Sequence, residues 1–519
     1  MLNSNNHSHH CYKAIDDYIQ YIENRDAIVN RACMGYSSTA IKSRLLQRLT
    51  QLITTPYLKQ SAKDYKAGNH ESLSFNGNLN LNGIKLHSNH KIKISPILYI
   101  NNFALFFIEW LYILYIWLKS LVYFNPKRKK AILLYGVPGS ELENNNQERL
   151  ANFLHTGPIR FFNGAESIFI QSVGKKRWKI NSNLFCSKYP LFDLFIKAES
   201  SWLDRLFFPV KHSLVLFNFF RVVLRSPLMI LLYRDFAQHS VAQYLNKNSI
   251  LEHVVITNTN WAQQFLWMTN LPNRKYKLHM ALYSQNSDPI LYKNSNTCDI
   301  YHPIIRHLNV DNIYIWNYEY KATLSRMGIH SNATVVGPIL WYIDDGKRNR
   351  KAKIDLTLCI FDVTPQSIES LDARGILSSY YNVENSSLFI NDIVAAVEEV
   401  EEHLQRNIHI IMKQKRVPSE IHSQNYISLL KELENNNLVS ILPSYTSLYE
   451  LANQSDLSIS FPFTSSAYVF SFKRKKAIFY DSTMKIHGQQ YVRNNIYFTS
   501  GYQQLVSTLK DLLKVHSYE

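Results

Sequence analysis

Over the last third of the chain, short apolar runs alternate with stretches of helical period. LTLCIFDV (356–363) is a continuous apolar run of strand length. SLFINDIVAAVEEVEEHLQR (387–406) spaces its apolar residues as a helix with one buried face does. The alternation continues with strands predicted at IHIIMK (408–413), LVSIL (438–442), DLSISF (456–461) and AIFYD (477–481). Between and after them, NYISLLKELENN (425–436), SLYELANQ (447–454), YVFSF (468–472) and YQQLVSTLKDLLKV (502–515) predict helices. A second series lies upstream, with strands at AILLYG (131–136), SIFIQSV (167–173), HVVITN (253–258), KLHMALYS (277–284), NIYIW (312–316) and ATVVGP (333–338). Helices are expected at 140–154, opened by a Ser140/Glu143 capping box, and at 318–329, closed by Gly328. Such alternation implies βα units and mainly parallel sheets.

The charged stretch 343–355, containing DDGKRNRKAKID, separates the two series. The expected organisation is two Rossmann-like α/β domains, 131–342 and 356–519, behind a helical, membrane-associating extension. Residues 1–90 are polar and Asn-rich, with one clear helix at IKSRLLQRLTQLI (41–53) and a loop or short hairpin around NGNLNLNG. MLNSNNHSHH reads as a solvated tail rather than a metal-binding His cluster, and it has no signal-peptide pattern. Within 91–130, FALFFIEWLYILYIWLKSLVYF (103–124) has the length of a bilayer span. It carries Glu109, Lys119 and many Tyr and Trp, and NPKRKK follows it. Aromatics beside cations fit a helix lying in the membrane interface. The apolar insertion 202–235, with Lys211, Arg221 and Arg225, reads the same way.

Composition narrows the partners. Of 519 residues, 57 are Lys or Arg and 40 are Asp or Glu, a net charge of +17 that favours anionic ligands. Five scattered cysteines without a CxxC pair exclude a disulfide framework or zinc cluster and fit a reducing compartment. The basic residues are dispersed and no nucleic-acid-reading motif is present, so no nucleic-acid partner is expected.

Ligands of open parallel sheets bind beyond the carboxyl ends of the strands. MKQKR puts Lys413, Lys415 and Arg416 there, where cations can neutralise phosphates. In PSYTSLYEL, Ser444 or Thr446 is expected to cap the next helix, and Glu450 to accept hydrogen bonds from a ribose. In PFTSS, Thr464, Ser465 and Ser466 stand where a strand turns into a helix, whose amides and dipole attract anions. The first domain should supply a general base. Glu166 and Asp288 rank first, ahead of His155 and Glu319. Asp344 and Asp345 belong to the linker. With no acidic pair at a strand end, transfer without a metal or other cofactor is expected, the nucleotide sugar being a substrate.

SLYELANQSDLSISFPFTSSA resembles the signature of the bacterial polysaccharide-biosynthesis family named for its PFTS motif, and IFDVTP (360–365) and VVGP (335–338) also resemble that group. More distantly, the order of basic strand end, capped helix and paired Ser is similar to bacterial sialyltransferases and capsule Kdo transferases of GT-B type. The resemblance implies a GT-B glycosyltransferase of surface polysaccharide (capsule, O-antigen or similar) biosynthesis. Its donor would be a nucleotide sugar, CMP-nonulosonate among the options, and its acceptor a glycan or lipid-linked oligosaccharide. It would be cytoplasmic, peripheral at the inner face of the cell membrane. Two other readings are a nucleotide-sugar epimerase of the same architecture and a non-catalytic polysaccharide assembly factor.

Overall fold

The computed structural model describes residues 4–24, 33–68, 79–81, 83–87, 92–122, 130–137, 146–171, 178–179, 183–198, 202–258, 264–284, 290–293, 307–329, 331–339, 355–374, 379–444, 446–488 and 495–514. The chain opens with helices α1 (Ser4–Asn24) and α2 (Ser38–Lys66), strands β1 (Leu79–Leu81), β2 (Ile84–Leu86) and β3 (Ile92–Ile94), and helix α3 (Pro96–Val122). The first domain contains β4 (Ala131–Tyr135), α4 (Asn146–Thr156), α5 (Arg160–Asn163), β5 (Ser167–Gln171), β6 (Trp178–Lys179), β7 (Leu184–Ser187) and α6 (Pro190–Lys197). Its insertion is α7 (Trp202–Leu206), α8 (Phe208–Arg225), a 3-10 turn (Pro227–Leu232), α9 (Tyr233–Ala237) and α10 (His239–Lys247). Then come β8 (Leu251–Thr257), α11 (Leu266–Asn270), β9 (Lys277–Ala281), β10 (Asn312–Ile315), α12 (Tyr318–Arg326) and β11 (Asn332–Val335).

These strands form one sheet in the order β11-β10-β9-β8-β4-β5-β7-β6, parallel except for β6 against β7. Strand side chains alternate between faces. Ile132 and Leu134 of β4 therefore meet α4, while Ala131, Leu133 and Tyr135 meet the helices that precede and interrupt the domain.

The second domain is β12 (Leu356–Phe361), α13 (Ile368–Asp372), α14 (Val383–Leu404), β13 (Ile408–Lys413), α15 (Gln424–Asn435), β14 (Ser440–Leu442), α16 (Leu448–Gln454), β15 (Leu457–Ser460), α17 (Ser465–Phe472), β16 (Lys476–Asp481), β17 (Ile496–Ser500) and α18 (Tyr502–Lys514). Its sheet is wholly parallel in the order β14-β13-β12-β15-β16-β17. By position in the domain this is 3-2-1-4-5-6, the doubly wound Rossmann order, and its direction reverses between β12 and β15. β12 is buried at every position because helices cover both faces.

The N-terminal region departs from expectation. The expected tail is helical from Ser4 onward, and just beyond it α1 lays a buried stripe of Cys11, Ile15, Tyr18, Ile19 and Ile22 at helical spacing. The helix predicted at 41–53 extends over Ser38–Lys66, through Pro56, because Leu45, Leu49, Ile53, Tyr57 and Leu58 continue one buried face. The expected hairpin is part of a three-stranded antiparallel sheet, β1-β2-β3. Ser140 and Glu143, the predicted capping box, lie outside the described residues.

Two contacts between the domains lie among the described residues. Tyr449 donates its hydroxyl to the Pro338 carbonyl (3.2 Å), and Phe472 packs on Gly337, whose φ of +80° and lack of a Cβ permit the approach. On the other side, the connection after β9 pairs with that after β16. Lys293 N–H donates to Lys485 O and His487 N–H to Leu291 O, both at 2.8 Å. Loops from the carboxyl edges of the two sheets therefore meet across the interdomain cleft.

Candidate functional site

The point where an open sheet changes winding direction leaves a crevice between two loops. Here those are the loops after β12 and β15, IFDVTP and PFTS. Both hold a non-glycine residue in the left-handed region, Thr364 (φ +47°) and Phe463 (φ +63°). For a β-branched residue this is unusual, and such strain concentrates at functional sites.

Asp362 organises the first loop. It is 5% exposed. Its carboxylate accepts the Lys415 N–H (2.7 Å), the Tyr426 hydroxyl (3.1 Å) and the Thr364 hydroxyl (3.2 Å). Burial raises its pKa, and these donors pull it back. The Thr364 hydroxyl in turn accepts the Arg416 N–H at 3.1 Å. Further along, Ser367 N–H donates to Ile421 O (3.0 Å) and Ser423 N–H to Pro365 O (3.1 Å). The basic loop after β13 is thus fastened to the crevice rather than solvated.

Lys413, half-buried, closes β13 with Nζ 3.4 Å from the Gln414 carbonyl. The Lys415 side chain reaches solvent within a crowded cleft. Burial by surrounding protein, then the charges of Arg416 and Lys413, lower its pKa, and Asp362 opposes them. Arg416 is exposed.

Thr464 is the N-cap of α17, but its hydroxyl donates back to Phe461 O (2.8 Å) and no side chain caps the helix. Neither Thr464 nor Ser465 caps it with a side chain. The first amides of α17 thus have no side-chain cap, and uncapped helix N-termini are where anions bind. Ser466 is buried, with its hydroxyl 3.4 Å from that of Thr464, and Ser465 is half-buried at the first helical position.

The expected cap of α16 is corrected as well. Ser447 fills that position and accepts the Glu450 N–H (3.3 Å), whereas Thr446 N–H donates to Pro443 O (3.0 Å). Ser447 wins because it immediately precedes the first helical residue. Ser444 is half-buried in the loop before the cap, and Glu450 lies exposed in the first turn. β14 is two strands from β12, so Ser444 and Glu450 stand about 10 Å from the switch crevice along the sheet edge.

Glu166 does not join them. It precedes β5, at the amino edge of the first sheet, where its carboxylate accepts the Lys130 N–H at 3.0 Å. A residue before a parallel strand lies at the edge opposite the cleft, so the structure does not bring Glu166 together with the other candidates. His155, in the last turn of α4, is at that same far edge. Glu319, in the first turn of α12, is at the carboxyl edge. Asp288, Asp344 and Asp345 lie outside the described residues. Asp288 belongs to the connection between β9 and the Tyr292–Ile486 bridge. Among the described residues, no group of three or more His, Cys, Asp or Glu is placed to hold a metal ion.

Sequence reasoning missed Asp362, Tyr426, His422 and Asp481. His422 is 3% exposed, accepts the Ser419 N–H on Nδ1 (3.0 Å) and leaves Nε2 without a partner beside the fastened loops. Burial, then the charge of Arg416, lower its pKa. Asp481 is fully buried and accepts Tyr380 OH (2.7 Å), Thr483 N–H (3.0 Å) and Ile486 N–H (3.1 Å), shaping the loop that meets the first domain. An acidic residue closing an otherwise apolar strand was the available signal for both Asp362 and Asp481.

Two Rossmann-like domains with facing carboxyl edges define the GT-B architecture. The chain belongs to the family described as polysaccharide biosynthesis PFTS motif protein, whose pattern matches residues 214–509. No curated protein matches it. Among solved structures it is similar to the wall teichoic acid polymerase TagF, at 10% identity over 80% of this chain and 89% of that one (TM-score 0.39). A TarM mutant of S. aureus, solved with fondaparinux, alpha-GlcNAc-glycerol and UDP, shares 10% identity over 53% of this chain and 52% of its own (TM-score 0.32). The chain therefore spans about half the length of TarM. The UDP-GlcNAc 2-epimerase of Methanocaldococcus jannaschii shares 13% identity over 74% and 92% (TM-score 0.37). The two-sheet topology, rather than these likenesses, defines the architecture.

Proposed function

We propose that the protein is a glycosyltransferase that moves a sugar from a nucleotide donor to a growing surface polysaccharide or lipid-linked oligosaccharide. The observation that carries this reading is the cradle itself. α17 starts at Ser465 without a side-chain cap, and the loop that carries Lys415 and Arg416 is fastened through its backbone to Asp362 and Thr364 beside the same switch crevice. Such a cradle fits the phosphates of a bound nucleotide and the charge that grows on the leaving group as the glycosidic bond to the donor breaks. Because Lys415, Arg416 and the α17 dipole can carry that charge, transfer is proposed to need no divalent cation. Lys413 supports the basic loop, while Ser444 and Glu450 line the edge where the nucleoside end would extend. Asp288 is proposed as the base that takes the proton of the acceptor hydroxyl, since its connection leads from the carboxyl end of β9 to the opposite lip of the cleft.

Location is part of the same proposal. α3 and α8 lie antiparallel, with Phe106 stacked on Phe219 (3.7 Å between centroids) and Trp110 Nε1 donating to His212 O (3.1 Å). Both helical segments have the length and apolarity to cross a membrane, yet Phe106, Ile113, Phe219 and Val223 are buried against the first domain. Their outer faces expose Ile108, Leu111, Leu118, Phe217 and Leu224. One side fixed to a soluble core and the other apolar fits a helix pair resting on the inner leaflet, where lipid-linked acceptors reside.

The test is the thermal stability of purified full-length protein with CMP, UDP, GDP or dTDP, with and without EDTA. One nucleotide should raise the melting temperature by mass action, unchanged by EDTA, and Ser465→Ala or Lys415→Ala should abolish the shift. No shift with any nucleotide would sink the donor assignment.

A further inference from the structure

A cavity of ≈ 570 Å³ opens beside α8, away from the interdomain cleft. Phe208, Lys211, Leu214, Asn246, Lys247 and Lys275 are among its lining residues. Leu214 is also 56% exposed and belongs to the outer apolar face of α8, so the cavity mouth and that face are continuous. Among the described residues the only acidic side chain in the lining is Asp204, and it pairs with Lys247 at 2.6 Å, while Lys211 and Lys275 face no described carboxylate. Lys275 Nζ is held by Ser249 Oγ (3.0 Å). His239 in the wall is pushed down to about 4 by burial and adds no charge near neutral pH. The cavity therefore joins an apolar ridge to two uncompensated ammonium groups.

Its place in the fold separates it from the donor cradle. Lys247 ends α10 just before β8, and Lys275 precedes β9, so both stand at the amino edge of the first sheet. The cleft is at the carboxyl edge. We infer that this cavity binds the phosphate-bearing headgroup of an anionic membrane lipid, with its acyl chains lying along the exposed face of α8. An amphipathic ligand matches the pairing of Leu214, Phe217 and Leu224 with Lys211 and Lys275, and Arg221 and Arg225 on the exposed side of α8 add cations along the same face. The inference rests on the membrane placement proposed above and is independent of the donor assignment. It would give the enzyme a fixed orientation on the bilayer rather than loose adsorption.

The experiment is co-sedimentation of full-length protein with phosphatidylcholine vesicles and with vesicles that also contain phosphatidylglycerol. The Lys211→Ala/Lys275→Ala pair should bind the anionic vesicles roughly 25-fold more weakly than wild type, about fivefold for each lysine near an anionic surface. Lys59→Ala/Lys63→Ala makes the same charge change at exposed positions on α2 and should bind as wild type does. Phe217→Asp should lose binding to both vesicle types. Equal losses in the two lysine pairs would reduce the effect to general surface charge and overturn the site. So would wild-type binding by the Lys211/Lys275 variant. Stabilisation by soluble glycerol phosphate without vesicle binding would assign the cavity to a soluble phosphate ester and overturn the lipid. A nucleotide-induced melting shift retained by the Lys211/Lys275 variant shows that it is folded and keeps failure here distinct from failure of the donor cradle.

Discussion

Asp362→Ala tests the organisation of the cradle most directly. Asp362 receives three donors, of which Tyr426 is 1% exposed and has no route to water. A buried donor left unpaired costs about 1–3 kcal/mol. Lys415 N–H and the Thr364 hydroxyl lie in a loop that water can reach, and removing a buried carboxylate recovers part of its desolvation. The expected net loss is about 2–4 kcal/mol for the second domain, with Asp362→Asn near the lower end because one oxygen remains an acceptor. All eight tryptophans precede residue 342, so their fluorescence follows the first domain, while circular dichroism follows both. Urea unfolding should therefore show an earlier transition by circular dichroism with the fluorescence transition in place. The raised pKa of Asp362 also sets a sign. Its protonated form is favoured in the folded state, so wild type gains stability relative to Asp362→Asn as pH falls through that raised pKa, and the gain is complete below the usual 3.8. Nucleotide affinity should fall at least tenfold in Asp362→Ala, because hydrogen bonds to charged groups contribute about 1.5–3 kcal/mol and the loop that supplies them is released. A stability loss below about 1 kcal/mol, or unchanged nucleotide affinity, would refute the organising role.

Three further outcomes follow from other parts of the molecule. Nucleotide affinity, read by calorimetry, should weaken as pH rises through the lowered pKa of Lys415, below its usual 10.5, and Lys415→Arg should flatten that dependence. Arg44→Ala should destabilise the first domain by about 3–5 kcal/mol in urea melts followed by tryptophan fluorescence, because it strands Asp235, 2% exposed and paired with Arg44 at 3.0 Å. Gly337→Ala should lower the melting temperature and loosen the interdomain contact, since a Cβ there would stand 3.0 Å from Phe472 at a φ of +80°. Limited proteolysis between the domains would report the loosening.

The second domain was largely legible because each of its strands is an apolar run bounded by turn residues. LTLCIFDV, IHIIMK and DLSISF became adjacent strands of one parallel sheet, and strand direction alone put MKQKR and PFTSS at the same edge. The same direction rule sets Glu166 at the opposite edge, since it stands before its strand rather than after it. Other features were out of reach for physical reasons. The buried stripe of α1 is diluted by Asn and His, so its mean polarity masks its period. Asp362 hides at the end of an apolar run, and its role depends on Tyr426, 64 residues away in sequence. Whether Thr464 bonds forward to its helix or back to Phe461 turns on a single rotamer, which residue type does not fix.

The pairing of residues 291–293 with 485–487 bears on the entropy of catalysis. A two-domain enzyme that closes only when substrates arrive must lose rigid-body freedom at that moment. Here backbone hydrogen bonds between opposing lips restrict that freedom within the fold itself. For the proposed transferase, much of the cost of bringing acceptor side and donor side into register would then be incurred during folding, and less would remain to be drawn from substrate binding. The same stitch acts as a pivot. For the proposed transferase, small openings about this stitch would suit exchange of a nucleotide better than wholesale separation of the domains.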